Sequence, residues 1–228
     1  MWKSQLDQRG NMERQLSGMS NTLNRLALLC VALSLVCAPA APCAEPDSIQ
    51  EYQIKAAFLY NFLKFVDWPK EKMGDANEPI TLGIIGKDPF GQAFEPVKDK
   101  DVKDKKVVVK RFKSIADLKK LGESGKDELD RQIEAVKKCH LLFVCSSEKE
   151  YLKDIVNAVK QRPVLTVGEM QGFLEAGGIS NFLVEDNKVR FEVNLTAAEH
   201  AKLKIRSQLL RLAKRVIEEK DAPEDKDK

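Results

Sequence analysis

Gly86-Lys87-Asp88-Pro89-Phe90-Gly91 follows an apolar run and copies the first half of a phosphate loop. The next residues are Gln92 and Ala93, where such a loop needs a lysine for the β- and γ-phosphates and a hydroxyl for Mg²⁺. Nucleotide hydrolysis is therefore not expected, although a strand-to-helix turn remains a place for a small ligand. Cys139 adjoins His140, but neighbouring strand residues point to opposite faces, so the pair cannot act as nucleophile and base. No G-x-S-x-G elbow occurs. Cys145 lies six residues beyond Cys139, and at about 3.3 Å per strand residue the α-carbons stand roughly 20 Å apart, too far for an internal disulfide. Both thiols read as small buried apolar groups, with an intersubunit bridge or a redox-sensitive thiol as the alternative in an oxidising compartment. Lys188, Arg190 and Glu192 alternate with Val189, Phe191 and Val193. This is a half-solvated strand whose two cations, Lys188 and Arg190, form a candidate receptor for a carboxylate or phosphate.

The histidines number two, His140 and His200, and no cluster has metal-ligand spacing, so neither a metal nor a cofactor is expected. The 228 residues are 43% hydrophobic and 32% charged, enough apolar content for a packed core and too much for a disordered chain. Four basic and two acidic residues fall within the first 44, which leaves 34 basic against 33 acidic in the remainder. A balance so close to zero, with both signs interspersed, offers no footprint for nucleic acid.

Those first 44 residues read as an export signal. Arg25 precedes the uncharged run 26–36, and the small residues from Ala38 onward supply an A-x-A cleavage pattern at Ala38 and Ala40. The strongly apolar part is about eleven residues, short of the roughly twenty that span a bilayer. Met19 is a candidate true start, and Val36 and Pro42 are poor residues to precede a lipidated cysteine at Cys37 or Cys43. Residues 45–217 then read as a single domain and 218–228 as a disordered charged tail.

Within the domain, 49–66 lacks Pro and Gly and runs into Trp68-Pro69, which predicts a helix ended by the proline. Tyr52, Ala56, Leu59, Leu63 and Val66 make one stripe, and Phe58, Phe62 and Phe65 widen it until the helix looks buried on more than one side. Short apolar runs at 80–86, 106–112, 140–145 and 163–167 read as strands, and 148–161 reads as a helix between two of them. This alternation predicts an α/β fold, a mostly parallel sheet flanked by helices. The stretch 98–106 reads as a solvated charged loop.

The last third changes character. Residues 179–184 and 189–194, with a turn at 185–187, predict a β-hairpin. Residues 196–219 are expected as one long C-terminal helix, with Thr196 as N-cap and Glu199 completing a capping box. On such a helix Ala198, Ala201, Ile205, Leu209, Leu212 and Val216 form one line, and Leu203, Leu210 and Ile217 a second. The second line packs on the first helix or meets another subunit or partner.

Lys55-Ala56-Ala-Phe-Leu-Tyr60-Asn-Phe-Leu-Lys64-Phe-Val-Asp-Trp68-Pro69, with Gly177-Gly178-Ile179, the Val189–Asn194 strand containing Phe191 and Glu192, and the segment from Leu203 to Leu210, resembles the YfiR/HmsC-like family of exported bacterial proteins. The resemblance covers about residues 50–217. It implies a periplasmic, non-enzymatic α/β regulator, often a homodimer. The implied partner is the sensor domain of an inner-membrane diguanylate cyclase, held inactive so that cyclic di-GMP and biofilm formation stay low. Some members respond to redox state through cysteine pairs. Here Cys139 and Cys145, plus Cys43 if it survives processing, are too few for a switch built on two internal disulfides. The alternative from another class is a periplasmic binding protein for a small anion; an exported hydrolase ranks last, for want of a nucleophile–base pair.

Overall fold

The computed structural model describes residues 46–218 except Ala76, Lys98 and Asp99. The chain divides into two units, Met1–Ala44 and Glu45–Lys228, and the fold is that of the second. The expectations for the leader and for the tail from residue 219 onward lie outside the described residues.

Helix α1, Pro46–Phe65, carries Ala56, Leu59, Phe62 and Leu63 on one face, and all four are buried. Each large side chain among them contributes roughly 1.5–3 kcal/mol by leaving water. Gln53, Ile54, Ala57 and Lys64 remain exposed, so the helix buries one broad face rather than several. It stops at Phe65, four residues before the proline, because Val66–Asp67 becomes a short strand, β1.

A three-layer α/β/α arrangement follows. Strands β2 (Ile80–Ile85), β4 (Lys105–Phe112), β5 (Leu141–Val144), β6 (Leu165–Gly168) and β7 (Ser180–Glu185) run parallel. Strand β3 (Asp101–Val102) is antiparallel to β4, strand β8 (Lys188–Asn194) is antiparallel to β7, and β10 (Arg215–Ile217) is parallel to β8. The spatial order is β10-β8-β7-β6-β5-β2-β4-β3. Alternate residues serve opposite layers: Leu141 and Phe143 pack with α1, whereas Leu142 and Val144 pack with α3 (Ile115–Lys119), α4 (Glu123–Lys137) and α5 (Leu152–Val159). Gly83 is required here, since a Cβ would lie 2.9 Å from both the Cys139 thiol and the Phe112 ring. The four expected strand runs and the hairpin form, and of the expected helix over 148–161 the α-helical part is Leu152–Val159, entered through a 3-10 segment at Ser146–Tyr151; Asp186 and Asn187, both at positive φ, make the two-residue turn of the hairpin.

Two further expectations need correction. Part of 98–106 is a hairpin: β3 returns as β4 through Lys103 and Asp104, and Lys105 is buried with its ammonium on the carbonyls of Asp75 and Glu78. The long C-terminal helix is not formed. Instead α6 (Leu195–His200) is capped by Asn194, whose Oδ1 accepts from Ala197 N at 2.9 Å, so neither Thr196 nor Glu199 does the capping. Lys202 then turns left-handed at φ +56°, and β9 (Lys204–Ile205) pairs with β1. After α7 (Ser207–Leu210) the chain adds β10 to the sheet. Arg206 forks onto Asp67 at 2.9 and 2.8 Å and Arg215 onto Glu192 at 2.9 Å, fixing both short strands. Pairing with open strand edges outweighs the helical preference of this segment.

Candidate functional site

Among β4, β2, β5, β6 and β7 the sheet reverses its winding between β2 and β5, and ligands in open parallel sheets sit beyond the carboxyl ends at such a point. The Gly86–Gly91 turn lies there, as do the loops after β5 and β6. Gly86 has φ +106° and backs onto Ser147 and Glu148. Ser147 Oγ accepts from Lys87 N at 3.0 Å and donates to Glu148 Oε1 at 3.0 Å, and the other Glu148 oxygen accepts from Ile115 N at 3.0 Å. Asp88 accepts from Phe90 N and from Arg111 Nε. The amide that a phosphate would use is taken, and two carboxylates stand where its charge would fall. The turn is built to close itself rather than to cradle an anion.

Lys55 lies beside it, 3% exposed, with Nζ 2.6 Å from Glu169 Oε2, a second ion pair to Glu51, and the Tyr52 ring 4.5 Å away. Tyr52 donates to Glu169 at 3.3 Å. Burial, then the nearby Glu169 and Glu51 carboxylates, pushes the Tyr52 hydroxyl well above its ordinary range. The cluster pins α1 to the end of β6. Glu148, Glu169 and Arg111 were not singled out from the sequence; the signal was a charge within three residues of the end of an apolar run.

The cysteines occupy opposite ends of β5 and opposite faces of the sheet, both free and buried. Burial pushes the Cys139 thiol up to about 11, and burial with Glu169, Asp88 and Glu148 nearby pushes Cys145 up further. Both are thereby kept in the unreactive thiol form. His140 sits at the amino end of the sheet. Its Nδ1 accepts from Thr81 N at 3.1 Å and its Nε2 lies 3.1 Å from Lys72 O, which makes Nε2 the protonated nitrogen of the neutral ring. Burial first, then the Lys72 charge, holds its pKa down at about 4.

The remaining family-motif residues take supporting positions. Ala56 and Phe191 are core, Tyr60 donates to Asp101 O at 3.2 Å, and Lys64 is exposed beside the Tyr60 ring. Trp68 Nε1 donates to His140 O at 3.0 Å, and Pro69 opens helix α2 (Lys70–Met73). Gly177 has φ +92°, and Gly178 lies against the Phe173 ring, where a Cβ would be 2.2 Å from it. Glu192 binds Arg215, and Asn194 caps α6.

Lys188 and Arg190 are exposed on the outer face of β8, with Glu185 opposite Lys188 in register and itself bound by Lys214 at 2.7 Å. The line of Leu203, Leu210 and Ile217 rested on a helix that is not formed. Leu203 is buried and Leu210 half-buried on the α1 side, while Ile217 packs in the opposite layer. Open cavities lie on both sides of the sheet. One of about 320 Å³ lies between α5 and α6 near Thr166 and Ile217, and one of about 340 Å³ lies under the 91–97 segment. Within the described residues no group of three or more His, Cys, Asp or Glu side chains is arranged to hold a metal, and no helix is long and apolar enough to cross a membrane.

A family model described as YfiR/HmsC-like matches residues 52–214. A conserved domain protein from Vibrio cholerae is similar in structure at 12% identity and TM-score 0.48, over 73% of this chain and 60% of that one. The ABC domain in complex with L-Trp from Streptococcus pneumoniae is similar at 10% identity and TM-score 0.47, again over 73% and 60%. This chain thus spans about 60% of the length of each. A search among curated proteins returns no match.

Proposed function

The chain belongs to the YfiR/HmsC-like family, whose members are periplasmic regulators of diguanylate cyclase signalling, and from this premise we propose that it binds the sensor domain of a membrane diguanylate cyclase and represses it. The match across residues 52–214, almost the whole described unit, is the observation that carries the reading. Repression needs only that the regulator bind the inactive cyclase conformation more tightly than the active one. The filled crevice at the carboxyl end of the sheet is consistent with work done by surfaces rather than by bond-making. The exposed face of β7, β8 and β10, with Lys188, Arg190 and Arg215 among Glu185 and Glu192, offers both signs of charge to such a partner. An export signal at 1–44 and a homodimer belong to the same reading. A small anion at Lys188 and Arg190, the alternative reading, has to compete with Glu185, which faces Lys188 in register.

Calorimetry of the purified chain with the sensor domain of a candidate cyclase, alongside cyclic di-GMP measured in cells with and without the gene, tests the proposal. A saturable complex together with raised cyclic di-GMP on deletion is expected. Unchanged cyclic di-GMP on deletion refutes repression, whatever the binding.

A further inference from the structure

Helix α1 leans toward the hairpin side of the core. Phe58 and Phe62 pack against Phe182 and Phe191, with ring centroids 5.0–6.0 Å apart. Its cover over β4 is correspondingly thin. Val107, Val109 and Arg111 face the same layer as α1, yet both valines remain only half-buried. The space left between them is the cavity of about 340 Å³, within the size range of small-molecule sites. Leu63 of α1 and Leu82 of β2 form its inner wall, and Phe94 and Val97 fold over it.

Polar groups occur at its rim rather than its floor. Arg111, half-exposed, is held in place by Asp88 at 2.6 Å through Nε and by Gly91 O at 3.3 Å through Nη2. These two bonds use two of the five guanidinium N–H groups and leave the others to meet an anion at the cavity mouth. Tyr60 and Glu95 complete the rim; the Tyr60 hydroxyl already donates to Asp101 O.

We propose that this cavity binds a small apolar carboxylic acid, its hydrocarbon body between β4 and α1 and its carboxylate on Arg111. An apolar slot with one preoriented guanidinium at its mouth suits an occupant with one apolar end and one anionic end. This site is separate from Lys188 and Arg190 and stands whether or not the chain represses a cyclase.

The test is calorimetric titration of the purified full chain with octanoate, 1-octanol and octylamine. Octanoate is expected to bind saturably at one site and at least tenfold more tightly than octanol or octylamine. R111Q, at an exposed position outside the core, should weaken octanoate at least tenfold, while loss of the exposed Asp88 ion pair lowers the ligand-free melting temperature only slightly. V107F should abolish binding by filling the slot. Absence of saturable octanoate binding overturns the proposal. So does equal or tighter binding of octanol or octylamine, or octanoate binding that R111Q leaves unchanged.

Discussion

The two ends of the parallel sheet are held by opposite chemistry. At the carboxyl end charges are taken inside and paired: Lys55 with Glu169 and Glu51, and Glu148 on the amide of Ile115. At the amino end no carboxylate is taken inside: a neutral His140 bridges Thr81 and Lys72 while its own carbonyl accepts from Trp68 and Leu165, and the buried Lys105 ammonium rests on backbone carbonyls. Both ends are fully hydrogen-bonded, but they fail differently. A buried ion pair fails when one partner is removed, whereas a neutral buried histidine fails when a proton is added.

Breaking the charged end gives the largest expected effect. Lys55→Met leaves Glu169 buried without its cation and should cost about 3–5 kcal/mol in urea unfolding. Adding Glu169→Leu should recover most of that loss. A single variant as stable as the parent would show that the pair carries no weight.

The amino end is broken by acid. The folded pKa of His140 is about 4 against 6.5 in the unfolded chain, so the unfolded state binds more protons between these values. The His140 contribution is complete above pH 6.5 and is lost as pH falls toward 4, by up to about 3 kcal/mol. The urea midpoint should therefore fall across this window in the parent chain and fall less in His140→Gln. Parallel curves would exclude His140 as the sensitive group.

A smaller effect belongs to the seam where the C-terminal segment meets the end of α1. The Arg206 hydrogen bond, supported by Lys103, holds the Asp67 carboxyl down at about 2. In Arg206→Ala the Asp67 pKa, followed by NMR titration, should rise part of the way to its ordinary value, since Lys103 remains 2.8 Å away. An unchanged value would mean that Arg206 does not reach Asp67 in solution.

These comparisons also mark how far the sequence could be read. The runs at 80–86, 140–145 and 163–167 announce themselves because a strand buried on both faces must be apolar at nearly every position, and 106–112, half-solvated, announces itself by its three consecutive valines. The motif from Lys55 to Pro69 was visible as a pattern, yet the partner that explains Lys55, Glu169, lies 114 residues away. Arg111 likewise reads as one more charge in a lysine-rich strand until Asp88 fixes it at the mouth of a cavity. Leu203, Leu210 and Ile217 misled, because a spacing of seven fits a helical stripe and these residues reach the core by another route.

Local sequence determined the α/β alternation, the α1 stripe and the Asp186-Asn187 turn, since periodicity and turn preference act between near neighbours. The C-terminal path was decided by tertiary structure. Residues 195–217 contain no Pro or Gly to break a helix, and the free edges of β1 and β8, with Asp67 and Glu192 waiting for a guanidinium, exist only once the rest has folded. Unpaired backbone at a sheet edge is the stronger demand, and it is not written in the segment that answers it.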